Sequence, residues 1–441
     1  MTARGVAVVV AIGAAACPGP NRPAPPTGSL TLEVGREGGS LRGVAGDGSL
    51  TFTATTMSEA KRGGGDPDGA RTLIEARRGS SVVWQVDATG IGGSLARAGA
   101  LLAVTLVGTG TVADAAMRGE PGAIVVAVDA ATGAARWKVA IDSNEWSLIT
   151  AIAPTSAGFV IGGTFSGTLR AADKVVSSAG KNDGFVARVD PAGKVAWLVR
   201  IGGANADAIQ GVAASASGDR IAIAGTFAPG AELLGEPLTS ISERMPTTDV
   251  FVAELDPNGA RRWSTTFGSS LDDAVAGVAI DGRGRIAVAT TARESSRINL
   301  ADVVAQGPAD GLVTWFAADG TAGPSVVLGG PGFDGMRAIT ATAGQVVVAG
   351  FYSGTIRIGG ETLTSTAGSD DVYLAALDGD AVTKLWPIAG VGREEITALA
   401  PVPGGFIAGI AHTAAASIDG QPLAAPNDPM GGAAIVVRAA R

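Results

Sequence analysis

The chain has 441 residues and a formal net charge of −8. This charge argues against nucleic-acid binding, which depends on clustered Lys and Arg side chains that neutralise phosphates. The chain holds one Cys, Cys17, and one His, His412, whereas a structural zinc site needs about four such ligands. Catalysis by a Ser-His-Asp or Cys-His arrangement would depend on His412, which lies at the end of a predicted strand and which we interpret as structural.

The N-terminus is typical of an export signal, predicted over residues 1–16. Arg4 precedes 11 residues of Val, Ala, Ile and Gly at 6–16, too few to span a membrane, which takes about 20, but typical of a signal peptide. Ala14-Ala15-Ala16-Cys17 resembles the bacterial lipobox, in which the Cys is lipidated and becomes the new N-terminus. Ala14 stands where that motif usually has Leu, so cleavage after an Ala-x-Ala pattern is the alternative. We predict lipidation at Cys17.

Residues 17–28 carry five prolines, which favour an extended polyproline II spacer between the lipidated Cys17 and a folded domain. No later segment has 18 consecutive apolar residues. The prediction is therefore an exported protein, anchored to the cell envelope at the outer membrane or cell surface, which meets the membrane through its lipid anchor alone.

A repeated hairpin follows. Residues 183–197 and 249–263 both show an alternating strand, an Asp-Pro-x-Gly tetrad and a strand bearing Trp197 or Trp263. The alternation is typical of half-buried strands, and Pro followed by Gly is typical of a tight turn. Two further short strands follow each Trp. Four-stranded units recurring at about 50 to 65 residues are typical of β-propeller blades.

The predicted fold is an all-β, single β-propeller over residues 29–441 with about seven four-stranded blades. The last unit lacks a fourth strand and one strand, 29–35, is left over at the front. We predict that this N-terminal strand pairs in the last blade and closes the ring, which removes exposed strand edges. The predicted units cover approximately 40–86, 91–141, 147–201, 208–267, 274–328, 335–388 and 395–440.

Residues 124–137, ending at Trp137, resemble the quinoprotein-type propeller repeat, whose Trp docks blade to blade. The later units, with Gly202-Gly203 before Asp207 and with Ala224 to Phe227, are similar to a bacterial β-propeller repeat of secreted and surface proteins. Such repeats occur in outer-membrane assembly lipoproteins, quinone-dependent dehydrogenases and other surface proteins. The resemblance implies a propeller lipoprotein without specifying a reaction, and the vicinal cysteines of many quinone enzymes are absent.

Acidic residues recur before the first strand of four units, and these are Asp207, Asp273, Asp334 and Glu394. They could form a partial carboxylate ring that holds Ca²⁺. Alternatively, each could accept backbone N–H bonds in a Gly-rich turn, the interpretation that we favour. A second set precedes the third strands and is interpreted as turn-forming: Asp183, Asp249, Asp310 and Asp371.

No motif singles out a reaction or a cofactor. The leading hypothesis is a non-enzymatic envelope lipoprotein whose propeller binds a protein or a glycan at its loop-bearing face, first at the long loops 227–248 and 291–309. One alternative is an envelope hydrolase or lyase with two or three close carboxylates in a central pocket. Another is a Ca²⁺-stabilised structural module.

Overall fold

In the computed structural model, β-strands joined by turns make up the chain. The structure describes residues 30–37, 39–57, 70–108, 122–241, 247–293, 296–298, 301–342, 344–366, 369–426 and 433–440. The predicted signal peptide, Cys17 and the Pro-rich spacer lie outside these residues. Within them, no helix is long and apolar enough to cross a membrane.

The strands form sheets of four antiparallel neighbours, here called blades. Six blades are each built from one continuous stretch of chain, and their strands are as follows: blade 1, β2 (Ser40–Gly46), β3 (Thr51–Met57), β4 (Arg71–Arg78) and β5 (Ser81–Thr89); blade 2, β6 (Ile91–Ala98), β7 (Leu101–Gly108), β8 (Gly122–Asp129) and β9 (Ala135–Ser143); blade 3, β10 (Trp146–Thr155), β11 (Gly158–Ser166), β14 (Asp183–Val189) and β15 (Val195–Gly202); blade 4, β16 (Ala208–Ala214), β17 (Ile221–Phe227), β20 (Asp249–Leu255) and β21 (Arg261–Phe267); blade 5, β22 (Ala274–Ile280), β23 (Ile286–Ala292), β26 (Asp310–Phe316) and β27 (Ala322–Leu328); blade 6, β28 (Gly335–Ala341), β29 (Val346–Tyr352), β32 (Asp371–Asp378) and β33 (Ala381–Gly390).

A further sheet, blade 7, combines the two ends of the chain. It holds β34 (Glu394–Val402), β35 (Gly405–His412), β38 (Ala433–Ala440) and, at its outer edge, β1 (Leu30–Glu37). Leu30 lies opposite Ala439 in the antiparallel β1–β38 ladder. The N-terminal strand therefore occupies the position of a fourth strand that the C-terminal segment does not supply.

The first strands of the blades surround one axis. Each contacts the first strand of the next blade, in the order β2, β6, β10, β16, β22, β28, β34 and back to β2. Buried apolar clusters fill the spaces between neighbouring blades. The predicted all-β propeller is confirmed by this ring of sheets.

Two details of the predicted architecture are wrong. First, the β1–β38 pairing does not itself close the ring. It lies at the outer edge of one sheet, and among the described strands no hydrogen-bonded ladder joins blade 7 to blade 1. The ring closes where β34 packs against β2 through a small apolar cluster of Leu41, Val44, Ala400, Val402 and Ile407. At this junction, as at the others, the burial of apolar side chains is sufficient to hold neighbouring blades together, because it does not require directed bonds.

Second, the sheets are not uniformly four-stranded. Between the second and third strands of five blades lie short hairpins: β12 (Thr168–Ala171) with β13 (Lys174–Ser177), β18 (Glu232–Leu233) with β19 (Glu236–Pro237), β24 (Ser296–Ile298) with β25 (Ala301–Val303), β30 (Thr355–Ile358) with β31 (Glu361–Thr364), and β36 (Ala416–Ile418) with β37 (Gln421–Leu423). Three of them pair with the outer strand of the preceding blade, namely with β9, β15 and β33. Those outer strands would otherwise present unpaired backbone groups, so the hairpins extend three sheets to six strands.

Tryptophan side chains join consecutive blades, as the resemblance to the quinoprotein-type repeat implies. Trp197 on β15 donates its Nε1–H to the carbonyl of Pro257 at 2.9 Å, in the β20–β21 turn of the next blade. The ring packs on Gly259, which has φ +84° and where a Cβ would lie 2.9 Å from a ring carbon. The same bond joins Trp84 to Ala130, Trp137 to Pro191 and Trp263 to Ala318, at 3.1, 3.0 and 3.0 Å.

The junction between blades 5 and 6 uses ion pairs instead. Blade 5 lacks the repeated Trp, and Arg283 lies 2.6 Å from Asp378 in the β32–β33 turn of blade 6. Arg285 lies 3.6 Å from the same carboxylate. Trp386 on blade 6 has no hydrogen-bond partner for its Nε1 within the described chain. The equivalent turn in blade 7 would have to connect β38 with β1, and these two strands are not consecutive in the sequence.

Candidate functional site

The acids predicted before the first strands occupy equivalent places between blades. They lie at the end of the propeller where first strands begin and where second-to-third-strand connections are found, here called the loop-bearing end. Each lies beside the acid that starts the preceding third strand. Asp183 and Asp207 face one another across Gly202, where a Cβ would be 2.8 Å from an oxygen of each carboxyl group. The other three pairs are Asp249 with Asp273, Asp310 with Asp334, and Asp371 with Glu394.

Backbone N–H groups bind two of these first-strand acids, Asp207 and Asp334. Asp207 accepts bonds from the amides of Gly203 at 2.7 Å and Ala228 at 2.8 Å. Asp334 accepts from Gly330 and Ser353 at 2.6 and 2.9 Å. Each carboxyl group thereby fixes the connection into its own blade to the start of a second-to-third-strand segment.

Asp273 is bound differently. One of its oxygens accepts from the amide of Ser269 at 2.7 Å and the other from the Ser269 hydroxyl at 3.1 Å. The residue is 7% exposed. Asp273 therefore has one hydroxyl and one amide as partners, whereas Asp207 and Asp334 each have two amides.

The same burial makes ionisation costly. Desolvation raises the pKa of Asp207 to about 6 and that of Asp273 to about 7, with the neighbouring Asp183 or Asp249 adding like-charge repulsion. Desolvation also raises the pKa values of Asp334, Asp371 and Glu394. These groups hold loops in place at the cost of burying carboxyl groups.

The third-strand acids hold the long connections. Asp183 accepts from the amide of Ala179 at 2.8 Å and pairs with Arg200 at 2.7 Å. Asp371 accepts from the amide of Thr366 at 2.9 Å. Within the described ranges, no group of three or more His, Cys, Asp and Glu side chains is placed to hold a metal ion.

His412 lies at the end of β35, directly opposite Glu394 in the β34–β35 ladder. It is 1% exposed, and its Nδ1 lies 2.7 Å from the carbonyl of Ala414. The imidazole is thus oriented by the backbone of the following turn. This placement agrees with the strand-end position predicted from the sequence.

The axis of the propeller contains features that the sequence did not indicate. Every first strand carries a β-bulge at the same level, where its register against the second strand shifts. A bulge turns a side chain out of the regular alternation. The bulge residues all line one cavity of about 290 Å³, and they form what we call the bulge ring: Arg42, Ser94, Thr150, Gln210, Ala276, Arg337 and Thr397.

An aliphatic girdle lies below the bulge ring. It consists of one large apolar residue from each first strand: Val44, Leu95, Ile152, Val212, Val278, Ile339 and Leu399. All except Val44 also line a second cavity of about 240 Å³ at the opposite end, which is otherwise bordered mainly by Ala and Pro. The girdle therefore separates a polar upper channel from a lower one lined mainly by apolar residues, with Arg97 and Thr340 also at its wall.

The upper channel is basic. Its mouth, a cavity of about 530 Å³, is lined by Arg42, Arg337 and Arg393. Arg393 lies 3.5 Å from Glu395, which is the one carboxylate residue among the described residues that line this cavity. Arg42 and Arg337 form no ion pair within the described chain. The guanidinium of Arg337 lies 4.4 Å above the ring of Phe351, a cation–π contact.

Exposed apolar side chains mark the same end. Trp146, Phe333 and Val391 lie in or next to the connections into first strands and are 46%, 46% and 75% exposed. We call these three the apolar rim. Phe333 also packs on Phe351, with ring centroids 6.0 Å apart, so it lies close to Arg337.

The two long loops singled out from the sequence are partly structural. The loop 227–248 contains β18 and β19, which pair with the preceding blade, and the loop 291–309 contains β24 and β25. Each still exposes one large apolar residue among its described residues, Leu234 in the first and Val304 in the second.

One sequence signal for the bulges of the first strands was missed. In several units a polar residue, as at Gln210, directly precedes the small residue at the centre of the first strand.

No protein-family model matches the chain, and no curated protein matches it. Solved structures resemble it at low identity. A europium-containing methanol dehydrogenase shares 11% identity at a TM-score of 0.41, covering 93% of each chain. BamB from Moraxella catarrhalis shares 13% identity at 0.38, covering 90% of this chain and 96% of that one.

The β-propeller domain of the trilobed protease from Pyrococcus furiosus shares 11% identity at a TM-score of 0.45, covering 89% of this chain and 97% of that one. Similarities of this strength carry no argument about function. The propeller assignment therefore depends on the sheets and the ring of first strands described above.

Proposed function

We propose that this chain is a non-enzymatic binding scaffold of the cell envelope, which receives a protein partner on the loop-bearing end of its propeller. One observation carries the proposal. Of the eight large apolar side chains that are exposed in the described residues, six lie at that end. They are Trp146, Phe333 and Val391 of the apolar rim, and Val175, Leu234 and Val304 in the second-to-third-strand segments.

Apolar and aromatic side chains grouped on one end of a molecule are typical of protein interfaces, where such residues supply most of the binding energy. Part of the scaffold around them is held in place, since acids bind the turns and three of the hairpins pair with the preceding blade. A preformed surface loses little conformational entropy when it binds. This favours a protein partner over the glycan that the sequence also allowed.

No specific observation favours the hydrolase or lyase alternative. It calls for two or three close carboxylates in the channel, and the described lining residues include one, Glu395, already near Arg393. The lower channel is lined mainly by Ala, Val, Ile, Leu and Pro. We therefore do not propose a reaction.

The partner surface is tested by cross-linking in envelopes of cells that produce the full chain. The rim variant combines Trp146→Ser, Phe333→Ser and Val391→Ser. The matched control combines Val82→Ser and Val83→Ser, since these are 44% and 47% exposed and lie beside the β4–β5 turn at the opposite end. Loss of a specific cross-linked protein in the rim variant but not in the control supports the proposal. Equal cross-linking in both variants, or no cross-linked protein with the natural chain, contradicts it.

Envelope anchoring is part of the same proposal. It is supported by the sequence around Cys17 and is tested by palmitate labelling. The natural chain should take up label and sediment with membranes, and Cys17→Ser should be unlabelled and soluble. If the Cys17→Ser chain is labelled, the lipid is attached at another residue. If the natural chain is unlabelled, the proposed lipid anchor is wrong.

A further inference from the structure

The upper channel holds two arginines whose charges are not neutralised by an ion pair among the described residues. Arg42 and Arg337 are exposed and form no ion pair within the described chain. Both are bulge residues, and both line the channel cavity and its mouth. In contrast, other arginines form ion pairs that link parts of the fold, as Arg200 does with Asp183 at 2.7 Å. Two unpaired guanidinium groups in one concave site therefore point to a ligand.

The two arginines lie on one arc of the ring. They belong to blades 1 and 6, on either side of blade 7, and the stacking of Arg337 on Phe351 at 4.4 Å orients it. Concave walls concentrate the potential of such charges although the whole chain is acidic. Guanidinium groups bind carboxylates and phosphates through paired hydrogen bonds.

The ligand must arrive from the loop-bearing end. Below the arginines, the aliphatic girdle would impose a large desolvation penalty on any charged group. The space above the girdle comprises cavities of about 530 and 290 Å³ that share Arg42, Arg337 and other residues. This space suits a few side chains of an inserted segment rather than a folded domain.

The surroundings indicate a peptide rather than a free oxyanion. Phe333 and Val391 of the apolar rim lie at the entrances to blades 6 and 7, on the same arc as the two arginines. A carboxylate flanked by apolar side chains would complement two arginines that lie beside apolar rim residues. Building on the proposed function, we infer that the partner inserts an acidic peptide segment into the channel mouth, where Arg42 and Arg337 bind its carboxylate and the apolar rim binds its flanking apolar residues.

The test begins with selection of random 12-residue peptides displayed on phage against the full chain. Peptides that contain Asp or Glu next to apolar residues should be enriched. Binding of the enriched peptide, fluorescently labelled, is then measured by anisotropy. Arg42→Gln and Arg337→Gln should each weaken it about 10- to 100-fold, as expected for loss of a charge-assisted bond. Both side chains are exposed and form no ion pair within the described chain, so Arg42→Gln should keep the natural melting temperature, and Arg337→Gln should lose only the small contribution of its contact with Phe351.

Arg170→Gln is the matched control, because Arg170 is exposed on β12 and lies outside the channel cavities. It should leave affinity unchanged, and replacing the peptide's acid by its amide should weaken binding as much as the arginine variants do. Equal binding by the Arg42→Gln/Arg337→Gln variant overturns the inference. If the rim variant then loses that peptide, the proposed function survives.

Binding of citrate and binding of inorganic phosphate to the full chain are measured separately by calorimetry. If either binds in an Arg42- and Arg337-dependent manner while no acidic peptide is enriched, the site serves a free anion and the inference is overturned. If neither peptide nor small anion binds, the inference is also overturned, and the envelope cross-linking decides the proposed function independently.

Discussion

Replacing Asp273 by Asn tests the cost of a buried carboxyl group between blades 4 and 5. Its pKa rises from 3.8 to about 7 on folding, chiefly through desolvation. The folded protein therefore binds this proton more tightly than the unfolded chain. Between about pH 4 and pH 7 the contribution of Asp273 to stability falls as pH rises, because the folded state then has to release a proton that it favours.

The magnitude follows from that difference. At about 1.4 kcal/mol for each tenfold change in the ionisation constant, a rise from 3.8 to about 7 corresponds to about 4 kcal/mol. Asn keeps both contacts, since its oxygen can accept from the Ser269 amide and its NH₂ group can donate to the Ser269 hydroxyl. Near pH 4.5, Asp273→Asn should exceed the natural chain's free energy of unfolding by only about 1 kcal/mol, because pH 4.5 lies just above the unfolded pKa of 3.8. At pH 8 the excess should reach about 4 kcal/mol.

Urea unfolding followed by Trp fluorescence at pH 4.5, 6 and 8 provides the measurement. Asp173→Asn is the control, because Asp173 is exposed and hydrogen bonding to Lys174 lowers its pKa. Its stability curve should run parallel to that of the natural chain over this range. A parallel curve for Asp273→Asn as well would refute the reasoning.

Three other variants test contacts between and within blades by the same unfolding assay. Gly193→Ala places a Cβ 2.8 Å from the ring of Trp137 at a residue with φ +84°. It should therefore lower the free energy of unfolding clearly more than Gly79→Ala, which has φ +56° in open space and should cost about 1 kcal/mol. Equal losses of stability would count against the docking of Trp137 on this turn. Trp197→Phe removes the 2.9 Å bond to the next blade and should cost at least about 1 kcal/mol. Glu254→Gln weakens bonds to two arginines around a side chain that is 1% exposed, and should cost about 2 kcal/mol; an unchanged midpoint would show that the neutral amide serves as well.

Local chemistry was well predicted where each residue acts through its own backbone neighbourhood. Asp190 accepts from the amides of Ala192 and Lys194 at 2.9 Å, and Gly193 adopts φ +84°, as a turn of this sequence requires. The first-strand acids were correctly interpreted as acceptors of backbone N–H bonds at Asp207 and Asp334. These outcomes follow from contacts a few residues apart or from one repeated connection.

The hairpins and the channel were not predicted, because their partners are distant in sequence. The segment at 168–177 gives no sign that it will pair with β9, which belongs to another blade. A polar residue precedes a small one at the bulges of Arg42 and Arg337, but this pattern does not show by itself that the two side chains face the axis. Their grouping arises only when blades 1, 6 and 7 become neighbours in the ring.

By itself, the sequence determined the repeated strands, the turns between them and the tryptophans that recur in most units, because these depend on backbone preferences and on alternation within one hairpin. The tertiary structure decided how the outer edges are covered, how the first and last blades meet, and which side chains surround the axis. Those features depend on long-range packing of sheets, in which a side chain's neighbours are supplied by blades that the local sequence does not encode.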